Sequence, residues 1–415
     1  MGMNDTPSGE RVHIGLFGRT NAGKSSLMNA LLGQSLAVVS ATKGTTTDPV
    51  KKAMELLPIG PVVFIDTPGL DDEGSLGASR MEKAYQMMHQ VDVALLVLDG
   101  RQTYPRDLDL EKELFTKLNQ SKVLTFIVVN KTESMTEQEK STLTTYFHQE
   151  FPELAEDRLH FVTALETENV TAKEQIYALR EAIARQNIVE EERRLVGDLI
   201  APQDVAILVV PIDSAAPKGR LILPQQQVIR DILESGGMPL VVRDTELAAA
   251  LDALKNPPRI VITDSQAFHE VAAIVPPEIP LTSFSILMAR YKGDLDIQIE
   301  GARTIDQLKE GSRILICEGC THHRQCDDIG TIKLPRWISE YTKKQMEFHF
   351  TSGGEFPRNL QEYDLIIHCG GCTLPLREVR FRMQQARQMQ VPITNYGVFI
   401  AYINGILNRV TEPFA

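Results

Sequence analysis

A phosphate-binding loop close to the start of the 415-residue chain constrains the fold more than any other feature. Residues 18–25 read GRTNAGKS, which matches the pattern G-x-x-x-x-G-K-[ST]. The loop follows an apolar run, VHIGLF, and precedes a helix-forming run, SLMNALLG, so it stands between a strand and a helix as a P-loop must. The sequence therefore predicts a domain that binds a nucleoside triphosphate.

Each residue type in this loop has a chemical reason to be there. Backbone N–H groups of a glycine-rich turn cradle a phosphate, so we expect Gly18 and Gly23 to shape that turn. Lys24 would neutralise the outer phosphates, and the hydroxyl of Ser25 would ligate Mg²⁺. The other loop residues expected at the nucleotide are Arg19, Thr20, Asn21, Ala22 and Ser26.

Asn21 has two interpretations. It resembles the asparagine that, in potassium-activated GTPases of the tRNA-modifying MnmE type, helps to bind a K⁺ ion beside the phosphates. Such an ion would stabilise the charge that an arginine finger otherwise covers. Alternatively, Asn21 caps a turn, a position that asparagine often occupies.

Two further segments are typical of the switch regions of a GTPase. Residues 44–48 read GTTTD, where Thr46, with Thr45 as the alternative, would reach Mg²⁺ only while the γ-phosphate is present. The sequence DTPGL follows the apolar run PVVFI, so Asp66 would support the Mg²⁺ ion and the Gly69 N–H would contact the γ-phosphate.

Leu70 follows the DTPG motif, at the place where Ras-like enzymes carry a glutamine that orients the attacking water. Hydrolysis would therefore depend on positioning and charge neutralisation rather than on a side-chain base. The residues predicted to contribute to it are Lys24, Ser25, Thr46, Asp66, Gly69 and Asn21.

A base-recognition motif, NKTE, follows the apolar run VLTFIVV. Guanine-specific enzymes carry N-K-x-D here, so Asn130 and Lys131 match, while Glu133 supplies a carboxylate that is one methylene longer. It can make the same contact with the guanine N–H groups, so we favour guanine. Thr163 and Ala164, in the sequence TAL, stand where a loop over the base is expected. The motifs together predict a Mg²⁺-dependent GTPase that binds GTP and GDP.

Length and composition bound the rest of the chain. Its 415 residues suit two or three domains, and its 43% hydrophobic and 24% charged residues are ordinary for a globular protein. A net charge of −12 argues against a broad nucleic-acid contact. The sequence contains neither a signal-peptide pattern nor an apolar run of about 18 residues, so we expect a cytoplasmic protein that does not interact with membranes.

Strand-like and helix-like runs alternate almost throughout, which predicts the α/β fold class with parallel sheets. We expect three domains: a Ras/Era-like P-loop GTPase domain over residues 1–190, a central α/β domain over 195–300 and a C-terminal α/β domain over 301–415. The central block shows no catalytic cluster. Its expected role is pairing with another copy of the chain in a homodimer.

All five cysteines lie in the third block. The run RILI leads to Cys317 and Cys320, and the run DLII leads to His368, Cys369 and Cys372. Loops at the carboxyl ends of neighbouring parallel strands converge in one crevice, so these two loops could surround one metal centre. The cytoplasmic interpretation and the odd number of cysteines argue against disulfides.

Two metal centres are consistent with this spacing. Cys317, Cys320, Cys369 and Cys372 could form a Cys₄ zinc site. Alternatively, a C-x-H…H-C-x-x-C pattern could hold a [4Fe–4S] cluster through Cys320, Cys369 and Cys372, which leaves one iron with an exchangeable ligand. The candidates for that ligand are His322, His368, Asp327 and water.

The pairing of an N-terminal GTPase with this C-terminal pattern resembles HydF, the GTPase and scaffold of [FeFe]-hydrogenase maturation. The resemblance implies a GTPase domain, a dimerisation domain and an iron–sulfur domain. It also implies a di-iron precursor that is assembled with two radical-SAM maturases and passed to the apo-hydrogenase. The implied cluster ligands are Cys320, Cys369 and Cys372, with His322 and His368 as motif residues.

Two other functions compete with this interpretation. One is a ribosome- or RNA-associated GTPase with a C-terminal zinc-binding module, and the other is a metal-insertion GTPase that delivers a single ion. The acidic charge and the H-C-G-G-C loop weigh against the first. Metal analysis would separate the three functions. Iron with sulfide would support the scaffold, stoichiometric zinc the zinc-binding module, and neither metal the metal-insertion GTPase.

Overall fold

A computed structural model describes residues 6–33, 50–70, 84–164, 169–186, 188, 193–212, 221–319 and 328–414. The predicted switch residue Thr46 and the predicted ligands Cys320, His322 and Asp327 lie outside these ranges. The chain forms two compact units, Met1–Glu190 and Glu191–Ala415.

The N-terminal unit contains a six-stranded sheet in the order β2-β3-β1-β4-β5-β6. Neighbouring strands are parallel except for β2 and β3, which run antiparallel. The strands are β1 Val12–Phe17, β2 Val50–Leu56, β3 Gly60–Asp66, β4 Val93–Asp99, β5 Leu124–Asn130 and β6 Leu159–Val162. The helices with defined bounds are α1 Lys24–Leu32, α2 Asp109–Gln120, α3 Glu137–Glu150 and α4 Val170–Ala184.

The apolar runs that predicted strands in this unit form the centre of its sheet. β4 reads VALLVLD and is buried along nearly its whole length, as is β5, which reads LTFIVVN. Continuous apolar strands of this kind are typical of parallel sheets that are covered on both faces. Two separate apolar clusters pack against the sheet, one containing Ile14 and Leu95 and the other containing Ile65 and Leu96.

The C-terminal unit contains two four-stranded parallel sheets, ordered β10-β9-β7-β8 and β12-β11-β13-β14. The strands are β7 Val205–Val209, β8 Met238–Val242, β9 Ile260–Thr263, β10 Leu281–Ser283, β11 Arg313–Glu318, β12 Glu347–Ser352, β13 Leu365–His368 and β14 Ile393–Asn395. The α-helices are α5 Leu223–Glu234, α6 Leu247–Ala253, α7 Phe268–Ile274, α8 Phe284–Lys292, α9 Leu295–Arg303, α10 Leu334–Thr342, α11 Leu376–Gln388, α12 Tyr396–Ile403 and α13 Leu407–Thr411. The predicted α/β fold class is confirmed.

The two C-terminal sheets share one topology and one hydrophobic core. In each sheet, the first strand lies between the second and the third, and the fourth strand lies beyond the third. Ile207 and Val261 of the first sheet belong to the same apolar cluster as Ile314 and Ile367 of the second. This common core explains why the unit is compact as a whole. The predicted division near residue 300 stays a prediction.

A local repeat in the sequence follows this shared topology. Residues 280–293 read PLTSFSILMARYKG and residues 392–405 read PITNYGVFIAYING, and both segments run from a short strand into a helix. Ser283 caps the first helix by accepting the Ile286 N–H, and Asn395 caps the second by accepting the Gly397 N–H. Side chains that cap the helices thus stand at equivalent places in the two halves.

Candidate functional site

The predicted phosphate loop connects β1 to α1. Lys24 is only 7% exposed, and its ammonium donates to the carbonyl oxygens of Gly18 and Arg19, each at 3.0 Å. Gly23 has a φ of 92°, in the left-handed region that favours glycine. A Cβ on Gly18 would lie 2.3 Å from the Val97 carbonyl oxygen, so only glycine fits where the loop crosses β4. The Lys24 side chain and the two glycines therefore hold the loop in shape.

The predicted magnesium residues Ser25 and Asp66 lie side by side. The Ser25 hydroxyl donates to Asp66 Oδ2, while Asp66 Oδ1 is buried and accepts no hydrogen bond from the described residues. Burial raises the pKa of Asp66, and the Ser25 hydrogen bond and the charge of Lys24 oppose that shift. A buried carboxylate oxygen beside a hydroxyl is a donor set that suits a hard cation such as Mg²⁺. The residues present therefore fit the expected ion.

The segment after β3 packs closely on the phosphate loop. A Cβ on Gly69 would lie 2.0 Å from Thr20 Oγ1, so the two segments meet at a point that requires glycine. The hydroxyl of Thr67 donates to the Leu16 carbonyl oxygen at 2.6 Å, which ties the segment to β1. Leu70 is 3% exposed and belongs to the apolar core.

Asn130 joins the three loops that were predicted to surround the nucleotide. Its Nδ2 donates to the carbonyl oxygens of Ala22 at 3.2 Å and Gly23 at 3.4 Å. Its Oδ1 accepts the backbone N–H groups of Lys131 at 2.8 Å and Ala164 at 3.1 Å. One side chain thus fixes the phosphate loop, the NKTE loop and the TAL loop against each other.

Lys131 and Glu133 of the NKTE loop face different surroundings. Lys131 is nearly buried, and its ammonium contacts Asp99 at 2.6 Å and the carbonyl oxygen of Asn21. Glu133 is exposed, as a carboxylate that meets an incoming base must be. Asn21 has a φ of 62° and an exposed side chain, so it both turns the loop and leaves its amide accessible.

The Arg19 side chain engages a partner that the sequence did not reveal. Its guanidinium donates to the two oxygens of Glu111 at 2.8 and 3.1 Å, and Arg106 also donates to Glu111 at 3.1 Å. Glu111 is 1% exposed, so this is a buried carboxylate between two arginines. Any phosphate contact at Arg19 in this geometry is made by its backbone.

The two cysteine-bearing loops meet at the carboxyl ends of β11 and β13. These strands are parallel neighbours, and the sheet order changes direction between them, which is where open α/β sheets form a crevice. The Gly319 N–H donates to Cys369 Sγ at 2.9 Å, and the Thr373 hydroxyl donates to the Gly319 carbonyl oxygen at 2.8 Å. The residue that precedes Cys320 therefore touches the sulfur of Cys369.

The described cysteines differ in their surroundings. Cys317 is fully buried within β11, where burial raises the pKa of its thiol to about 12. Burial raises the pKa of Cys369 to about 11, although the N–H groups of Gly319 and Gly371 oppose the shift. Burial also raises the pKa of Cys372, opposed by the charge of Lys292. Metal binding would release protons from such thiols.

Within the described ranges, which omit residues 320–327, no group of three or more His, Cys, Asp or Glu side chains is placed to hold a metal ion. Cys369 nevertheless fits an iron–sulfur centre, because backbone N–H groups that donate to a sulfur stabilise its ligated form. Cys369 and Cys372 are free thiols, and both residues are partly exposed.

His368 is bound by the protein at both ring nitrogens. Its Nδ1 lies 2.7 Å from the Cys369 carbonyl oxygen and donates to it, and its Nε2 accepts from the Arg382 guanidinium at 3.1 Å. Burial and the charge of Arg382 lower the pKa of His368 to about 3, so the ring is neutral. Arg382 also pairs with Glu378 at 2.8 Å. Sequence reasoning missed Arg382 and Glu378, whose only signal is an i,i+4 pair on α11.

The fold and the candidate sites together define the class of protein. The N-terminal unit is a P-loop GTPase domain, joined to a C-terminal unit in which cysteines gather at a sheet crevice. The GTPase model described as "50S ribosome-binding GTPase" matches residues 13–131. Residues 195–293 match the hydrogen maturase F dimerization domain and residues 296–413 match the hydrogen maturase F tetramerization domain. The chain belongs to the hydrogen maturase F family, which confirms the resemblance to HydF.

Curated relatives resemble part of the chain. GTPase Der of Sulfurimonas denitrificans is 35% identical over 130 residues, which cover 31% of this chain and 26% of that protein. The tRNA modification GTPase MnmE of Chromobacterium violaceum is 40% identical over 94 residues, which cover 22% of this chain and 21% of that protein. The chain thus spans about a quarter of the length of the curated relatives that it matches.

Solved structures also align with part of the chain. A mutant of Era from Aquifex aeolicus bound to GDP·AlF₄⁻ aligns with 56% of this chain and 94% of its own, at 21% identity and a TM-score of 0.35. A probable GTP-binding protein, engB, aligns with 42% of this chain and all of its own, at 17% identity and a TM-score of 0.34. None of the helices in the described ranges has the length and apolar character needed to cross a membrane.

Proposed function

We propose that this chain hydrolyses GTP with Mg²⁺ and serves as an iron–sulfur scaffold in the maturation of [FeFe]-hydrogenase. Membership of the hydrogen maturase F family supports the biological role. The observation that carries the scaffold is the 2.9 Å hydrogen bond from the Gly319 N–H to Cys369 Sγ, because it brings the two cysteine loops together. The proposed compartment is the cytoplasm, where thiol ligands stay reduced.

In the nucleotide reaction, the protein positions water and phosphate rather than supplying a base. Lys24 would neutralise the outer phosphates, and Ser25 and Asp66, with Thr46, would hold Mg²⁺. The Gly69 N–H would contact the γ-phosphate. Because Leu70 is buried, no side chain at that position reaches the attacking water. The accessible amide of Asn21 supports a K⁺ ion in its place.

In base recognition, Asn130 fixes the loops and Glu133 accepts hydrogen bonds from guanine. Its exposed position supports that role, and the extra methylene relative to aspartate is accommodated at the loop surface. The TAL loop, with Thr163 and Ala164, would cover the base. Adenine lacks the N–H groups that this carboxylate accepts, so the proposed substrate is GTP.

At the metal centre, Cys320, Cys369 and Cys372 would be the cluster ligands. A [4Fe–4S] cluster bound by three thiolates keeps one iron available for a guest. His368 is already hydrogen bonded at both ring nitrogens. The proposed exchangeable ligand of the fourth iron is therefore His322, Asp327 or water. The guest would be the di-iron precursor, assembled with two radical-SAM maturases and delivered to the apo-hydrogenase.

Oligomer formation is part of the proposed function. The chain carries both a dimerization and a tetramerization domain of the hydrogen maturase F family, whereas the sequence predicted only the dimer. GTP hydrolysis would act as a switch through the segments at 44–48 and 66–70, which change their contacts when the γ-phosphate leaves.

The test is metal analysis of the full chain after anaerobic purification and reconstitution with iron and sulfide. We expect iron and sulfide in the wild type, and loss of most of both in Cys369→Ser because a thiolate ligand is removed. GTP hydrolysis should be unchanged in that variant. Stoichiometric zinc in the wild type would instead favour an interaction module, and neither metal would favour a transient metal-insertion GTPase.

A further inference from the structure

Lys292, the last residue of α8, is buried under the loop that carries Cys372. It is 1% exposed. Its ammonium donates to the carbonyl oxygens of Gly371 at 3.0 Å, Cys372 at 3.2 Å and Leu374 at 2.7 Å. The loop therefore wraps around one cationic group.

The geometry matches the chemistry of an ammonium group. A protonated lysine has three N–H donors, and the loop presents three converging carbonyl acceptors. A buried ammonium is costly unless its hydrogen bonds are satisfied, so this arrangement fixes both the lysine and the loop.

The charge of Lys292 also lies against a proposed ligand residue. Its ammonium is 3.2 Å from the carbonyl oxygen of Cys372 and is itself almost fully buried. An iron–sulfur centre held by thiolates is negatively charged, and a nearby buried cation stabilises it and raises its reduction potential. A lysine in this place would therefore both shape the ligand loop and offset its charge.

We propose that Lys292 is a positioning residue for the iron–sulfur centre, which clamps the loop of residues 371–374 and places a positive charge beside Cys372. This inference rests on the proposed function. Lys292 lies in the region matched by the dimerization domain, whereas the loop lies in the region matched by the tetramerization domain. The central part of the chain therefore completes the metal site.

The experiment compares Lys292→Met and Lys292→Arg with wild-type full-length protein. Lys344→Met is the matched control, because Lys344 also donates to a carbonyl oxygen, that of Leu308, away from the cysteines. Three quantities are measured: hydrogen exchange of the 369–375 segment in the metal-free chain, the rate of iron loss to a chelator after reconstitution, and the midpoint potential of the cluster.

For Lys292→Met, we expect faster exchange in the 369–375 segment and iron loss that is faster by roughly tenfold, as for residues that orient metal ligands. The midpoint potential of the cluster should fall by at least about 59 mV, which corresponds to a tenfold change in the equilibrium constant of a one-electron reduction. Lys292→Arg keeps the charge but not the compact ammonium, so it should loosen the segment while keeping the potential near the wild-type value. Lys344→Met should match the wild type in all three.

The outcomes separate this inference from the proposed function. A wild-type chain that takes up no iron and sulfide overturns the proposed function, and hydrogen exchange in the metal-free variants still tests the clamp. A wild type that does bind a cluster, with Lys292→Met equal to it in exchange, iron loss and potential, overturns the role of Lys292. If Lys292→Met does not fold, unchanged segment exchange in Lys292→Arg overturns the clamp.

Discussion

Cys317 and Cys369 show, at the scale of single residues, how different the surroundings of two cysteines in, or just after, neighbouring strands can be. Cys317 lies inside β11 among Leu315, Ile366 and other apolar side chains, whereas Cys369 lies just past the end of β13 and accepts backbone N–H groups at its sulfur. Strand interiors point their side chains into packed cores, and strand ends open into crevices. The position relative to the strand end, rather than the spacing C-x-x-C, is our reason for expecting Cys369, and not Cys317, to bind the metal.

We therefore expect Cys317→Ala to leave the iron content of the reconstituted chain unchanged, at a cost of about 1 kcal/mol in stability. Because burial raises the pKa of Cys317 to about 12, its thiolate fraction rises tenfold per pH unit up to that value and stays small at pH 8. Iodoacetamide should label Cys317 only after unfolding, as mass spectrometry would report. Zinc that is bound by the wild type and lost in Cys317→Ala would instead support the four-cysteine site.

Much of the nucleotide site could be predicted from sequence because its chemistry is local. The pattern from Gly18 to Ser25 fixes backbone shape through its glycines, and the flanking apolar runs fix the strand and helix on either side. The pairing of Arg19 with Glu111 could not be predicted, since Glu111 lies on α2, far along the chain. A long-range ion pair leaves no periodic signal.

At the scale of elements, Asn130 shows how one side chain at the end of β5 organises three loops. It bonds Ala22, Gly23, Lys131 and Ala164 through one amide group. The motif predicted its position but not this role, because its partners belong to loops that come together only when β1, β5 and β6 form one sheet.

Asn130→Ala should weaken the binding of both GDP and GTP. The buried N–H and carbonyl groups that it leaves without partners cost about 1–3 kcal/mol, which is roughly a 5–150-fold loss of affinity. Titration with a fluorescent guanine nucleotide measures the change. Asn119→Ala on α2 is the matched control, because the Asn119 amide bonds only the surface carboxylate of Glu153 among the described contacts. The nucleotide affinity of this variant should equal that of the wild type. Unchanged affinity in Asn130→Ala would contradict the role of this residue as a connector.

The cysteine crevice was predicted only in outline. The runs RILI and DLII predicted two strands whose ends meet, and β11 and β13 are indeed parallel neighbours. The residues behind the crevice are charged and buried: Arg382 is 0% exposed and Lys292 is 1% exposed. In a sequence, such residues resemble ordinary surface positions of α11 and α8. Only tertiary packing reveals that they contact His368 and the Cys372 loop.

At the scale of the whole molecule, the C-terminal unit consists of two halves with the same topology, and residues of the first half contact the cysteine loop of the second. The segment of residues 280–293, which contains Lys292, is equivalent to the segment of residues 392–405, and both run from a strand into a helix. Cys369 and Cys372 follow β13 in the second half, while Lys292, which donates to carbonyl oxygens of their loop, comes from α8 of the first. Because both halves contribute to one apolar cluster, the proposed metal site would depend on the integrity of the whole unit.

The division into two compact units predicts that nucleotide and metal stabilise different parts of the chain. In calorimetry, GDP with Mg²⁺ at about 100 times its Kd should stabilise the N-terminal unit by roughly 2.7 kcal/mol, which raises its Tm by about 5–10 °C. Removing iron should lower only the other transition. Lys24→Ala is the control, because it removes the ammonium of the phosphate loop. In this variant the nucleotide-dependent shift in Tm should disappear, while the iron-dependent shift should remain. If nucleotide moved both transitions equally, the two units would unfold as one, because stabilisation by a ligand reaches only the residues that unfold cooperatively with its site.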